Sequence, residues 1–415
     1  MYKFNFERKI RMKKAAYIGC LTLIGIISTE FGVISILPQI SEYYNVSIDK
    51  AGSLLSIFSI TIAITGSIIT LLTSGFNRKK IMLIAMILFL VSDILSIMAP
   101  PFGVLLVVRM LPAFLQPTCI AAAIYAAVAL GDDKYKNELI GIVISGIAIA
   151  SVVTVPLSGY VSGVFQQWQA AYVLQAIISL ITIVIIYKML PSVPAPKETT
   201  SLKKQLIILK DPVFILSMGF NLFLITAWFC TYSYIAEYLQ KSLGMDEKTT
   251  SYMIFLFGVM GVTSNWVARK MLNKRMMPAV VLFSLGTIVL PLLLNFNTSP
   301  ILTISIISLW GFWYGPCVMI AVVYMVSNAP SYALEFANSL QNSTGNLGVA
   351  LGTSVGGWII VSKGISVTPW IGAGFGIVSL AILAINSYLK KNREQNSNDK
   401  IHETEFLPEQ ESLCN

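Results

Sequence analysis

The chain has 415 residues, of which 55% are hydrophobic and only 12% charged, with a formal net charge of +9 and a mean hydropathy of +0.74. Soluble domains carry roughly 25% charged residues, so composition excludes an ordinary aqueous globular protein, and equally a disordered or collagen-like one. Long apolar runs recur along nearly the whole length and read as membrane-spanning helices.

In chain order, a basic head (Lys3, Arg8, Lys9, Arg11, Lys13, Lys14) precedes an apolar run reaching about Leu37. Only Ala15 to Ile18 would stand before a cleavage at Gly19-Cys20, so the run reads as an uncleaved first span and not as a signal peptide. Twelve apolar segments follow one another at residues 15–37, 51–73, 80–99, 102–130, 139–163, 168–190, 212–236, 250–268, 277–295, 300–327, 336–361 and 368–389. The fold class expected is an all-α integral membrane protein of twelve transmembrane helices in two pseudo-symmetric six-helix bundles. The chain then divides into a basic N-terminus (1–14), a first bundle (15–190), a linker (191–211), a second bundle (212–389) and a tail (390–415). The tail is rich in Asn, Glu and Gln without apolar periodicity and is expected to be disordered.

Four of the five cysteines (Cys20, Cys119, Cys230, Cys317) lie in apolar runs and Cys414 in the tail. With no CxxC pair they read as small apolar filler, not as disulfides or metal ligands. The single histidine, His402, is also in the tail, which excludes a histidine relay or zinc chemistry within the membrane. No cofactor and no metal are expected.

Of the 29 lysines and arginines, 24 fall on one side: the head, Arg78-Lys79-Lys80, Lys134 and Lys136, the central segment from Lys188, Arg269 to Arg275, and the tail. Only Lys50, Lys241, Lys248 and Lys363 fall opposite, and Arg109 lies within the fourth segment. This asymmetry places both termini in the cytoplasm and explains the surplus charge without a nucleic-acid partner. Shifting the first half by 197 residues sets Asp49 on Asp246, Arg78 on Arg275 and Gly159 on Gly356. Such a repeat typifies secondary transporters with the substrate between two halves.

Three ionisable residues lie deep in apolar segments: Glu30, Asp93 and Arg109. Each costs roughly 2.5–3.5 kcal/mol at a helix centre on insertion scales, so each is a functional candidate. By rise per residue all three sit about 9–10 Å inside the outer boundary. Arginine cannot lose its proton and needs one anion. An Asp93–Arg109 pair is therefore expected, with Glu30 the surplus acid that carries a proton, although the sequence does not decide between the two acids. A static, water-filled polar cluster is the other reading.

Gln116 shares a helix face with Arg109. Asn221, Trp228 and Tyr232 share a face of the seventh segment, and Trp310, Trp313 and Tyr314 lie in the tenth. Around a cavity these would bind a mostly apolar, cationic or aromatic solute; packing and interfacial anchoring is the plain alternative. Pro156 and Gly159 give the fifth segment a flexible point, and Gly348, Gly352 and Gly356-Gly357 allow the eleventh a close, sliding contact. Arg78 and Lys79 lie in the short basic loop before the third segment.

Thr29-Glu30-Phe31 with Leu37-Pro38, Arg109 with Pro117, Val155-Pro156-Leu157 with Gly159-Tyr160, Asn346-Leu347-Gly348 to Gly356-Gly357, and Pro369-Trp370-Ile371-Gly372 resemble the major facilitator superfamily. Within it the chain is most similar to the twelve-helix drug/proton antiporter branch, notably the bacterial arabinose-type sugar, nucleoside and chloramphenicol efflux permeases. Ser74 to Lys80 keeps the basic part of that family's loop motif without its aspartate, and Val155 replaces the glycine before Pro156. The resemblance implies a multi-pass protein of a bacterial inner membrane that exchanges a small molecule (drug, sugar or nucleoside) for protons, and because a single two-lobed unit is able to work alone a monomer is expected. A sugar or nucleoside uptake facilitator or symporter is the alternative within transport, and a polytopic sensor or enzyme the alternative outside it. No GxxxxGK[ST] loop is present, which argues against ATP drive.

Overall fold

A helix in lipid must turn its polar groups inward, the reverse of a soluble protein. The sixth span shows this: Tyr172, Gln175, Ser179 and Thr182 are buried, while Val173, Ile177, Leu180, Ile181 and Val184 are exposed. The computed structural model describes residues 2–73, 75–130, 135–194, 206–296, 299–330 and 333–405. Lys134, Lys197, Lys203, Lys204 and Cys414 lie outside the described residues.

Among the described residues twelve helices are long and apolar enough to cross a bilayer: α1 (Lys13–Tyr43), α2 (Ile48–Gly66), α3 (Arg78–Ile97), α4 (Phe102–Ala129), α5 (Glu138–Phe165), α6 (Gln169–Met189), α7 (Pro212–Ser242), α8 (Glu247–Leu272), α9 (Met276–Phe296), α10 (Ile301–Ser327), α11 (Phe336–Lys363) and α12 (Ile365–Arg393). No strand occurs among the described residues. An even number of crossings returns the chain to the face on which it began; that face is called terminal here, and the opposite one distal. Helices α1–α6 form the first lobe and α7–α12 the second; α2 packs on α11 and α5 on α8 across the seam between them.

At both ends the helices run beyond the apolar segments. The α-helix that becomes α1 already begins at Tyr2, so the basic head is helical. The last helix runs from Thr368 to Glu405, so the tail expected to be disordered is helical that far. Arg393 secures this extension through a 2.8 Å ion pair to Asp211, whose carboxylate also caps the helix of α7 by accepting from the Val213 N–H. The linker leaves the first lobe under a similar clasp. The Arg78 N–H donates to the Val193 carbonyl at 2.9 Å, Asn77 to the Ser192 hydroxyl at 2.7 Å, and Lys79 to the Tyr187 carbonyl at 2.8 Å.

Several spans are interrupted. In α1 the α-helix stops at Gly32, passes through a 3-10 turn at Val33–Ile36, and restarts at Leu37 with Pro38 in its first turn. The α-helix of α7 stops at Tyr232 and continues through Ile235–Glu237 into a π turn. A shift of 197 residues carries Val33–Ile36 onto residues 230–233, which overlap the break of α7 at Ser233-Tyr234, so both lobes interrupt their first helix within a few residues of the same place. In α4 the break lies between Ala113 and Gln116, flanked by Pro112 and Pro117. In α5 a π turn at Ala150–Thr154 precedes Val155-Pro156, as expected where proline removes a donor from the ladder.

Glycines set the closest contacts. Gly348, Gly352 and Gly356 seat α11 directly on the backbone of α7, and Gly159 seats α5 on Ser35 of α1 at the repeat-related place. A Cβ at Gly352 would stand 2.6 Å from the Thr226 carbonyl oxygen and 3.0 Å from the Cys230 nitrogen, neither of which can step aside. Gly352→Val is therefore expected to destabilise the protein by about 1–3 kcal/mol, read as a lower detergent melting temperature. Gly374→Val, with nothing within 4 Å of the added Cβ, should leave it unchanged.

Candidate functional site

The site grows from the interruption of α1. An α-helix leaves its last four carbonyls without intrahelical donors, and for a helix ending at Gly32 these include Thr29 and Glu30. Arg109, fully buried on α4, donates from Nη1 to the Thr29 carbonyl at 2.7 Å and from Nη2 to the Glu30 carbonyl at 3.2 Å. Its guanidinium also lies 4.8 Å from the centre of the Phe58 ring of α2, a cation–π contact.

The expected Asp93–Arg109 ion pair is thus not formed. Arg109 goes to the main chain of α1, and Asp93 is held by hydroxyls instead. Thr29 donates to Asp93 Oδ1 at 3.3 Å and Ser179 to Oδ2 at 3.1 Å. The physical reason is competition: two desolvated carbonyls at a helix end match the guanidinium fork, and the two hydroxyls already serve the carboxylate.

Glu30 turns to another partner. The break in α4 places Gln116 in the first turn of the resumed helix, and its Nε2 donates to Glu30 Oε2 at 2.5 Å. Glu30 is 3% exposed and Gln116 4%. Gln116 Oε1 and Arg109 Nε have no protein partner. The three ionisable residues therefore do converge, as their common depth predicts, but as a chain from Asp93 through Thr29 and Arg109 to Glu30 and Gln116.

Next to Glu30, Phe31 crosses the seam and meets Phe229 of α7 with ring centroids 5.8 Å apart. Behind Phe229 stands a set of rings from three spans. Tyr314 of α10 lies 4.7 Å from Tyr232 and 4.4 Å from Phe257 of α8, and Trp310 lies 5.0 Å from Phe257. Trp228 joins through Tyr232 at 5.9 Å, and its Nε1 donor is unpaired. Tyr314 remains half-buried. Four of the six substrate candidates in the second lobe, Trp228, Tyr232, Trp310 and Tyr314, are thus together.

The other two are elsewhere. Asn221 is fully buried against α11, where it donates to the Gln341 carbonyl at 3.1 Å and the Thr344 hydroxyl at 2.7 Å. Trp313 turns to α9, covering Gly286 and facing Phe283 at 6.3 Å. Of the basic pair at the start of α3, Arg78 also lies over the Tyr125 ring at 5.4 Å.

Sequence reasoning missed two polar faces. Tyr172, Gln175 and Ser179 line the inner side of α6. Asn342 and Asn346 form a ladder on α11, with Asn346 Nδ2 donating to Asn342 Oδ1 at 2.7 Å. Both sets are spaced at helical period in an apolar span, a signal visible in the sequence. The α11 ladder continues the face that meets α2. Its distal part (Ala350, Thr353, Gly357) is buried, with Ser354 bonded to Ser56 across the seam at 3.1 Å. Its terminal part, Asn342 and Asn346, is only half-buried.

Two six-helix lobes with a polar core facing an aromatic wall across a seam define a membrane transporter. Residues 19–353 match the sequence profile of the Major Facilitator Superfamily. The chain belongs to that superfamily; it is a multi-pass membrane protein that carries a small-molecule solute and is not an enzyme. It is 24% identical over 383 residues to the Probable sugar efflux transporter of Pasteurella multocida, covering 90% of this chain and 93% of that one. Its fold is similar to the nucleoside transporter NupG, with a TM-score of 0.69, 14% identity and coverage of 92% and 99%. It is also similar to a D-xylose–proton symporter, with a TM-score of 0.70, 15% identity and coverage of 90% and 97%.

Arg109 ties the two halves of the core together, so its replacement separates fold from charge. Arg109→Ala should lower the melting temperature and abolish transport, since two buried carbonyls lose their donors. Arg109→Lys, which keeps the charge without the fork, is expected to recover part of the stability and little of the transport.

Proposed function

We propose that the protein exports a small hydroxylated organic solute, such as a sugar or nucleoside, in exchange for protons by alternating access. The observation that carries this reading is Glu30: a buried acid at the break of α1, bonded to Gln116 and adjoining the seam through Phe31. A carboxyl group there exchanges its proton for solute binding with little movement. The flat apolar rings across the seam, with Trp228 Nε1 unpaired among them, offer stacking faces and a donor to a ring-shaped polar solute, and Gln116 Oε1 at Glu30 is an unpaired acceptor.

The 24-to-4 distribution of basic residues supports a cytoplasmic terminal face, and the bacterial source of the P. multocida relative supports a bacterial inner membrane. The distal seam is then closed toward the outside. There Gly159 meets Ser251, Gly163 meets Glu247 and Gly357 meets Asp49, while Gln166 donates to Glu247 at 3.2 Å. This arrangement corresponds to a state that takes up solute from the cytoplasm. Because one chain holds both lobes and every site residue, a monomer is sufficient. Similarity to the P. multocida protein supports the efflux direction.

Proteoliposomes loaded with a pH-sensitive dye test the reading. The expected result is proton movement opposite to solute movement across a panel of pentoses, hexoses and nucleosides. Parallel movement would identify a symporter and overturn it. In Glu30→Gln, solute-for-solute exchange should persist while solute-linked proton movement disappears; retention of that movement would shift the proton-carrying role from Glu30. Tyr314→Ala should raise the solute concentration for half-maximal exchange by roughly tenfold, the equivalent of about 1.4 kcal/mol.

A further inference from the structure

The first lobe contains a polar line apart from the seam. Trp168, at the cap of α6, is followed by Tyr172, Gln175 and Ser179 at intervals of four, three and four residues, which puts all four on one helix face. They rise about 16 Å from the distal rim toward the core. They are buried to 2%, 1%, 1% and 0% exposure. Trp168 Nε1, Tyr172 Oη and both amide atoms of Gln175 have no protein partner, and the line ends where the Ser179 hydroxyl meets Asp93 at 3.1 Å.

Other spans wall this line in. Gly32 of α1 backs Gln175: a Cβ there would stand 2.5 Å from Gln175 Nε2 and 3.1 Å from the Ser158 hydroxyl of α5. At the distal rim Trp168 packs with Tyr43 at 5.6 Å and Tyr44 at 5.8 Å. Tyr43 is 56% exposed, and Tyr44 is pinned by its hydroxyl to the Pro100 carbonyl at 2.7 Å. Buried polar groups are normally paired, by protein or by water. Four successive unpaired atoms along one face, leading from an aromatic rim to a buried acid, match a file of water.

We propose that this face of α6 is a water-filled proton route from the distal medium to Asp93, inside the first lobe and separate from the solute path between the lobes. The proposal rests on the reading of the protein as proton-coupled. It lets Asp93 exchange protons with the distal side while the seam is shut there against solute. One excess proton enters at the rim, passes by hydrogen-bond exchange along the file, and binds a carboxylate oxygen of Asp93 by way of Ser179. No bond between heavy atoms changes. Trp168 and Gln175 orient the water; Tyr172 and Ser179 can both give and accept hydrogen bonds. The ionisable groups facing Asp93 are Arg109 on α4 and Tyr172 on α6, and Glu30 follows Thr29, which holds Asp93, on α1. Arg109 grips the backbone between Thr29, which holds Asp93, and Glu30, and its fixed positive charge opposes onward passage of the proton.

Time-resolved infrared spectroscopy of the purified full-length protein after a pH jump reads this step without any solute. The carboxylic acid band of Asp93 is assigned by its loss in Asp93→Asn. In Gln175→Leu its appearance should slow by roughly tenfold or more, and Gln175→Asn, which keeps an amide, should restore most of the rate. Unaltered kinetics in Gln175→Leu would overturn the proposal, as would equal slowing in both variants or the absence of an Asp93 band at any pH the folded protein withstands. Solute-linked proton movement in proteoliposomes is measured separately, so failure of the route and failure of the antiport reading are distinguishable.

Discussion

The architecture of the first lobe depends on a single geometric fact: the α-helix of α1 ends in the middle of the membrane. In hydrocarbon, freed carbonyls have no water to turn to, so they require a buried donor. Arg109 supplies two N–H groups in the fork that main-chain oxygens at a helix end can use. The arginine in turn has no water and accepts the carbonyl dipoles in place of a carboxylate. Each of two otherwise prohibitive features, a broken helix and a buried cation, makes the other tolerable. That mutual satisfaction releases both acids from neutralising Arg109, and they are held instead by the neutral groups of Thr29, Ser179 and Gln116.

The second lobe solves the same problem with different chemistry. At the repeat-related place α7 also breaks, but without an arginine. Tyr234 donates to the Thr353 carbonyl of α11 at 2.8 Å, Ser233 shares a hydrogen bond with Thr353 at 2.7 Å, and aromatic rings fill the volume. One lobe thus carries the charge and the other the apolar wall. The seam between them is lined by small residues on its distal half and by asparagine amides on its terminal half, a gradient that favours tight closure on one side and hydration on the other.

Span count, order and the division into two lobes were legible because bilayer thickness fixes the length of an apolar run. Convergence of Glu30, Asp93 and Arg109 was legible from depth alone. The partners were not, since depth says nothing about azimuth. Nothing at Gly32 marks a helix end as a proline would; Pro38 comes six residues later, and so the carbonyls that capture Arg109 were invisible. Asn221 shares a helix face with Trp228, but it lies two turns away, where Gly345 and Gly348 draw α11 close enough to take both its donors. Trp313 adjoins Tyr314 in sequence and is rotated by about 100°, which points it to α9. The polar face of α6 could have been found by the same counting that picked out the charged residues, had neutral side chains been weighed with them.

The linker is moored at both ends, by Ser192 and Val193 to the start of α3 and by Asp211 to Arg393. Ahead of Asp211 the chain forms a 3-10 turn at Leu206–Lys210, with Ile208 buried in a cluster with Phe214, Met325, Ala333 and Ala337 of the second lobe. The first mooring joins α3 to the end of α6 and the second joins α7 to α12, so each knot is tied inside one lobe and neither spans the seam. Rocking of the lobes therefore leaves both knots intact, and preference for one tilt over the other is decided where α2 faces α11 and α5 faces α8.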